Sequence, residues 1–201
     1  ASHYDGATAC AEAGILAAHH FRGKRKKILV SSALHPHYRQ TIRTYFSENS
    51  GYQIVECDSA NPACSPAELA KQVDDQTALV IVQYPDFFGR IFDYTALAEQ
   101  VHAKGALLSV SAYPIALGLL KPPAEFGADI VTGEGQSFGI PLSFGGPYLG
   151  FFAVRKELER KHVGGRRKPT SQYIRKQAIL TTEEQKGGID EQTSDKVDEN
   201  N

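Results

Sequence analysis

The sequence predicts a layered α/β domain with a mainly parallel sheet, and two observations carry that expectation. Short apolar runs of strand length alternate with helix-length segments along most of the first 130 residues. A glycine-rich stretch, Asp129 to Val154, then joins one buried strand to another through a loop. Six glycines (Gly133, Gly135, Gly139, Gly145, Gly146, Gly150) lie between Ile130-Val131 and Phe151-Phe152-Ala153-Val154. Such density points to tight turns or close approach to a ligand. A solvated linker fits poorly, because Phe138, Ile140, Leu142, Phe144, Tyr148 and Leu149 would leave it an apolar surface to hide.

The elements follow in order. Thr8 to His20 is alanine-rich around Ile15 and Leu16, and its small side chains let a helix lie close against a sheet. Gly6-Ala7-Thr8 just before it offers free backbone N–H groups and a hydroxyl to an anion; a simple N-cap by Asp5 or Thr8 is the competing reading. Lys27 to Ser31 reads as a parallel strand, and Pro36 starts a helix that carries Tyr38, Ile42, Tyr45 and Phe46 on one side. His35 and His37 sit at that strand-to-helix junction, where open α/β sheets gather ligand groups. Capping or surface histidines explain them better than a metal pair, and no metal is expected.

Gly51 to Val55 is the next strand. Ser65, Pro66 and Glu68 form a helix start, with Ser65 as cap, Pro66 at the first helical position and Glu68 closing a capping box. Thr77 to Gln83 is a buried strand that Tyr84-Pro85 ends. The loop Pro85 to Arg90 leads to a helix over Asp93 to His102, with Asp93 placed to cap it and Gly105 to stop it. Ala106 to Val110 is a strand closed by Tyr113-Pro114, Ala116 to Leu120 is a helical turn or buried loop, and Ile130-Val131 re-enters the sheet. The strand-helix rhythm implies right-handed crossovers. A short helix is expected from Glu157 to His162.

Composition narrows the function. The 201 residues suffice for one core, or one core plus a tail, and 41% hydrophobic with 22% charged residues is ordinary for a globular chain. A formal net charge of -1 argues against a general polyanion binder, so no nucleic acid is expected; the basic runs Lys24-Arg25-Lys26-Lys27 and Arg166-Arg167-Lys168 read better as solvated faces than as phosphate contacts, the competing reading. No run approaches the roughly eighteen apolar residues of a membrane span, and the first residues lack the regions of a signal peptide. Cys10, Cys57 and Cys64 cannot all pair within the chain and are read as reduced thiols, which gives a cytoplasmic expectation. Methionine is absent even at position 1, as in a processed product, a fragment or an altered chain. From Gly164 to Asn201 apolar residues are sparse, so 1–163 is expected as the α/β core and 164–201 as a mobile polar tail or the start of a connection.

Gly-rich loops at strand ends and a helix N-terminus suit a phosphorylated cofactor. Neither GxGxxG nor GxxxxGK[ST] is present, which disfavours nicotinamide and nucleoside triphosphate chemistry, and GxSxG is absent too. Four long motifs are more specific: SHYDGATACAEA from Ser2, VQYPDFFGRI from Val82, LGLLKPPAEFGADIVTGEGQSFG from Leu117 and FGGPYLGFFAV from Phe144. In order and spacing they closely resemble the pyridoxal-phosphate glycine dehydrogenase (decarboxylating) family, the P-protein of the glycine cleavage system, over Ser2 to His162. Within that family the motifs look like those of subunit 1 of the split, two-chain form. After that range the chain gives GGRRKPTSQYIRKQAILTTEEQKGG, of which only fragments match.

The resemblance implies a three-layer α/β/α fold, as in the large domain of fold type I pyridoxal-phosphate enzymes. It implies glycine decarboxylation with transfer of the aminomethyl group to the lipoyl arm of H-protein. That chemistry requires a lysine amine for the Schiff base and a carboxylate near the pyridine nitrogen. Here Gln136 holds the lysine position and Tyr113 the carboxylate position. An amide forms no imine and a neutral phenol no pyridinium ion pair. The chain is therefore expected as the non-catalytic subunit 1, with pyridoxal phosphate on the partner subunit 2 and none bound here. Gly6, Ala7 and Thr8 would be the remnant of a phosphate cup. His35, His37, Tyr84, Asp86, Phe87, Phe88 and Arg90 are the candidates to line a subunit contact or channel, with greatest weight on the Phe87-Phe88 pair, which is costly to expose. Two other readings stand beside this one. In an independent aminotransferase or lyase of the same fold the lysine would be Lys104 or Lys121, neither suitably placed. In a structural or binding module there would be no reaction.

Overall fold

The computed structural model describes residues 1–47, 50–57 and 64–161, and all described elements belong to the unit Ala1–Val163. The expected tail, 164–201, lies outside the described residues. Seven strands, β1 (Ser2–His3), β2 (Lys27–Val30), β3 (Gln53–Glu56), β4 (Thr77–Tyr84), β5 (Leu107–Ala112), β6 (Ile130–Glu134) and β7 (Gly150–Val154), form one sheet in the order β1-β7-β6-β5-β4-β2-β3. Pairing is parallel from β3 through β6; β7 runs antiparallel to β6, and β1 antiparallel to β7. Four α-helices accompany them among the described residues: α1 (Gly6–His20), α2 (Pro36–Tyr45), α3 (Pro66–Ala70) and α4 (Thr95–Ala103).

Side chains alternate across the central strands and so feed two cores. Ile28 and Val30 of β2 and Ile81 of β4 pack on one face beneath Ala9, Ala13, Leu16 and Ala17 of α1 and Ile42 of α2. Leu29, Val80, Val82, Leu108 and Val110 face the other way, against Leu69 of α3 and Leu97, Ala98 and Val101 of α4. This is the three-layer α/β/α arrangement expected. Small residues on α1 bring its backbone close to the sheet, where a bulkier face would hold it off.

Local chemistry sets the ends. Ser65 accepts from the Glu68 N–H while Glu68 accepts from the Ser65 N–H, the capping box expected for α3. Asp5 and Thr8 form a second such box at the start of α1. Asp93 acts two residues before its helix, since Tyr94 holds the cap position and Asp93 Oδ1 accepts from the Thr95 N–H at 2.8 Å. Tyr45 is exposed, because the sheet is covered by Ile42 of α2 and by Phe46, the residue that caps its C-terminus, instead. Ala116 to Leu120 falls largely within a 3-10 turn, Pro114–Gly118. The segment expected as a helix after β7 is a 3-10 turn over Lys156–Lys161.

One expectation is corrected. Cys57 and Cys64 form a disulfide, because the end of β3 and the residue before the α3 cap stand with their Cα atoms 6.2 Å apart, within bridging range. Only Cys10 remains a thiol. Burial pushes it up to about 12, partly offset by a hydrogen bond with Thr132.

Candidate functional site

The carboxyl ends of β4, β5 and β6 open into a cleft of about 180 Å³, lined by His35, Tyr38, Gln83, Ser111, Ala112, Tyr113 and Glu134. It lies beside the place where the strand order reverses, between β2 and β4. Parallel α/β sheets bind ligands at such a point because helix N-termini and loop backbones converge there.

Each wall has a local cause. Pro36 starts α2, so His35 is its cap; His35 Nδ1 accepts from the His37 N–H at 3.2 Å, and the His35 N–H donates to Gln83 Oε1 at 2.8 Å. Burial, then the nearby charges of His37 and Arg39, lower the His35 pKa, so the ring is neutral near pH 7 and its Nδ1 is free to accept. Tyr38, one turn into α2, has its phenol pKa raised by burial and then by Glu134, Cys10 and Asp5, so the hydroxyl keeps its proton. Gly6 faces that hydroxyl directly. A Cβ there would collide with the Tyr38 oxygen and come within 3.1 Å of Glu134 Cβ.

Glu134, the last residue of β6, ties three segments together. Its Oε2 accepts from the Gly6 N–H at 2.9 Å, and its Oε1 from the N–H groups of Gln136 at 3.0 Å and Leu149 at 2.8 Å. Asp5 Oδ1 accepts from the Thr8 N–H at 2.6 Å and from the Thr8 hydroxyl at 2.8 Å. The N–H groups of Gly6 and Thr8 thus already carry carboxylate oxygens. Gln136 begins a 3-10 turn just beyond β6, and its side-chain Nε2 is buried with no hydrogen-bond partner. Tyr113 is half exposed at the end of β5.

The loop after β4 is built on Asp86. Its side chain is 1% exposed; Oδ1 accepts from the N–H groups of Phe88 and Arg90, each at 2.9 Å, and Oδ2 meets Arg90 Nε at 2.7 Å. The Arg90 guanidinium lies over the rings of Phe88 and Phe92. Phe87 and Phe88 are consequently held outward, 45% and 51% exposed, with Phe87 edge-on to His35. His35, His37, Phe87, Phe88 and Arg90 form one chain of side-chain contacts, of which His35 lines the cleft. Tyr84 and Asp86 do not join that surface: Tyr84 points into the core against Tyr94 and Phe126, and Asp86 is buried under its own loop.

Sequence reasoning missed Gln83, Ser111 and Glu134 as site residues. The available signal was polarity at the carboxyl end of an otherwise buried strand. As for the cofactor's needs, none of the cleft-lining residues is a lysine. The ammonium of Lys104 lies 3.8 Å from Asp75 and that of Lys121 3.6 Å from Asp93, so both are engaged elsewhere. The residues present do not fit a Schiff-base-linked pyridoxal phosphate. No helix among the described residues is long and apolar enough to cross a membrane.

Comparison with known proteins agrees with the motifs. The family described as "Glycine cleavage system P-protein" matches residues 1–185, past the point where the motif resemblance ends. A protein of Thermomicrobium roseum named "Probable glycine dehydrogenase (decarboxylating) subunit 1" is 54% identical over 83% of this chain and 37% of its own length. One of Desulforamulus reducens with the same name is 52% identical over 82% of this chain and 36% of its own. The chain therefore spans about a third of the length of the curated relatives it matches. The solved structure of an inhibitor-bound glycine decarboxylase (P-protein) superposes with a TM-score of 0.70 at 39% identity, covering 80% of this chain and 35% of that one. A NifS-like protein, 17% identical with a TM-score of 0.63 over 78% of this chain and 42% of its own, shares the fold. The chain belongs to the glycine cleavage system P-protein family.

Proposed function

We propose that this chain is part of subunit 1 of a glycine dehydrogenase (decarboxylating) and supports the reaction without performing it. Pyridoxal phosphate is the cofactor of the enzyme family, and in this reading it works on the partner subunit 2. There glycine is decarboxylated, and its aminomethyl group passes to lipoylated H-protein. What supports the reading is the run Glu134-Gly135-Gln136 at the carboxyl end of β6, which carries a carboxylate and an amide and no lysine. Tyr113, the phenol on the cleft wall at the end of β5, supports it from the other side.

The exposed aromatic ledge of Phe87 and Phe88, with His35, His37 and Arg90, is the surface proposed to meet the partner or border the lipoyl channel. Large apolar side chains held outward by a buried ion pair spend less conformational entropy on docking than mobile ones would. The independent aminotransferase or lyase reading loses support from the positions of Lys104 and Lys121.

Glycine-dependent exchange of carbon dioxide in the presence of H-protein tests the proposal on this chain, on subunit 2 and on the two mixed. Activity confined to the mixture, or much higher there than with subunit 2 alone, is the expected result. Activity of this chain alone would overturn it, and silence without association would favour a binding module.

A further inference from the structure

The start of α1 is a natural anion site, because its first N–H groups have no helical partners and the helix dipole favours negative charge there. In this chain the anion is supplied from within. Glu134 reaches it from the end of β6 and accepts the Gly6 N–H, while the same carboxylate accepts from Gln136 and Leu149 at the two ends of the loop joining β6 to β7. Asp5 takes the Thr8 N–H, and the backbone carbonyl of Asp5 takes that of Ala9. The Tyr38 hydroxyl fills the space over Gly6.

We propose that Glu134 is the resident anion of this helix end: it takes the place of a ligand phosphate, keeps phosphate-bearing molecules off Gly6-Ala7-Thr8, and pins the β6–β7 loop to α1 in a chain that holds no cofactor. Two properties separate this arrangement from an ordinary surface hydrogen bond. The Gln136 N–H is a local donor two residues on, but those of Gly6 and Leu149 lie 128 and 15 residues away in sequence, so no local turn accounts for the convergence. Both carboxylate oxygens are used, which leaves a dianion arriving at Gly6 to face a like charge as well as a missing donor. The inference rests on the reading of this chain as the cofactor-free subunit, yet the two fail separately.

The test follows the backbone amide resonances of Gly6, Gln136 and Leu149 in the 201-residue chain during titration with inorganic phosphate. In the unaltered chain the Gly6 resonance should not move saturably. In Glu134→Ala it should, with phosphate bound roughly tenfold more tightly or better. Saturable movement at Gly6 of equal affinity in both proteins would overturn the proposal, and so would an unresponsive Glu134→Ala chain whose α1 remains helical. Glu134→Gln gives an independent arm should the alanine variant not fold. Its amide oxygen can still serve Gln136 and Leu149, but its NH2 faces the Gly6 donor. Hydrogen exchange should then speed up at Gly6 and stay slow at the other two; unchanged protection at Gly6 would overturn the assignment. Borohydride trapping with pyridoxal phosphate on the same samples keeps the readings apart, because a saturable, stoichiometric adduct at a single lysine of the unaltered chain contradicts the proposed function, whereas a phosphate response alone contradicts only the role of Glu134.

Discussion

Gly150→Ala should lower the unfolding free energy by about 3 kcal/mol, since overpacking a fixed contact costs about 1–3 kcal/mol and loss of a helix cap about 1 kcal/mol more. A Cβ at Gly150 would run into the backbone carbonyl of Asp5 and lie 3.0 Å from His3 Cβ. Neither neighbour yields cheaply: Asp5 is the cap of α1, and His3 is paired with Gly150 in the β1–β7 ladder. Relief requires α1 to move away from the sheet end, which would also draw Gly6 from Glu134. Urea unfolding followed by circular dichroism measures the loss as a lower midpoint. Gly118→Ala, where a Cβ meets open space, is the control and should stay within about 0.5 kcal/mol of the parent.

Asp86→Ala should be equally damaging, at about 3 kcal/mol, for a different reason. Removing the buried carboxylate strands the N–H groups of Phe88 and Arg90 and takes away the ionic partner of Arg90 Nε. Asp86→Asn should cost less, because its amide oxygen can still accept both N–H groups. The larger consequence is at the surface, where Phe87 and Phe88 lose the loop that aims them. Association of Asp86→Ala with subunit 2, followed by sedimentation, should weaken more than the stability loss alone explains; undiminished association of a folded Asp86→Ala chain would remove the ledge from the proposed interface.

The layered fold was legible because its signals are local. TALVIVQ at Thr77 is too apolar to be anything but buried, and Ser65-Pro66-Ala67-Glu68 carries its own capping instructions. What escaped was whatever depends on distant partners. Ser2–His3 has no strand signal of its own and is a strand only because β7 presents a free edge. The Cys57–Cys64 bridge depends on how closely β3 and the start of α3 approach, which spacing alone does not fix. The antiparallel course of β7 follows from a loop that returns on itself without a crossover helix.

The site divides the same way. The motifs around Gln136 and Tyr113 put them just beyond the ends of two strands, where the structure has them, and the outward Phe87-Phe88 pair could be anticipated from its apolarity. The part played by Glu134 could not, since its partners Gly6 and Leu149 are brought to it only by the completed sheet. Tyr84 and Asp86 look like candidates for a channel in sequence because they are polar residues near a strand end, but the backbone directs one into the core and folds the loop over the other.

Reduction with borohydride in the presence of pyridoxal phosphate tests whether this chain can form the cofactor imine. Peptide mapping by mass spectrometry reports which lysines are modified. Only slow, non-saturating modification of surface lysines is expected, with no carbon dioxide released from glycine by this chain alone. A single lysine modified saturably and in stoichiometric amount, together with glycine decarboxylation by the isolated chain, would contradict the proposed function.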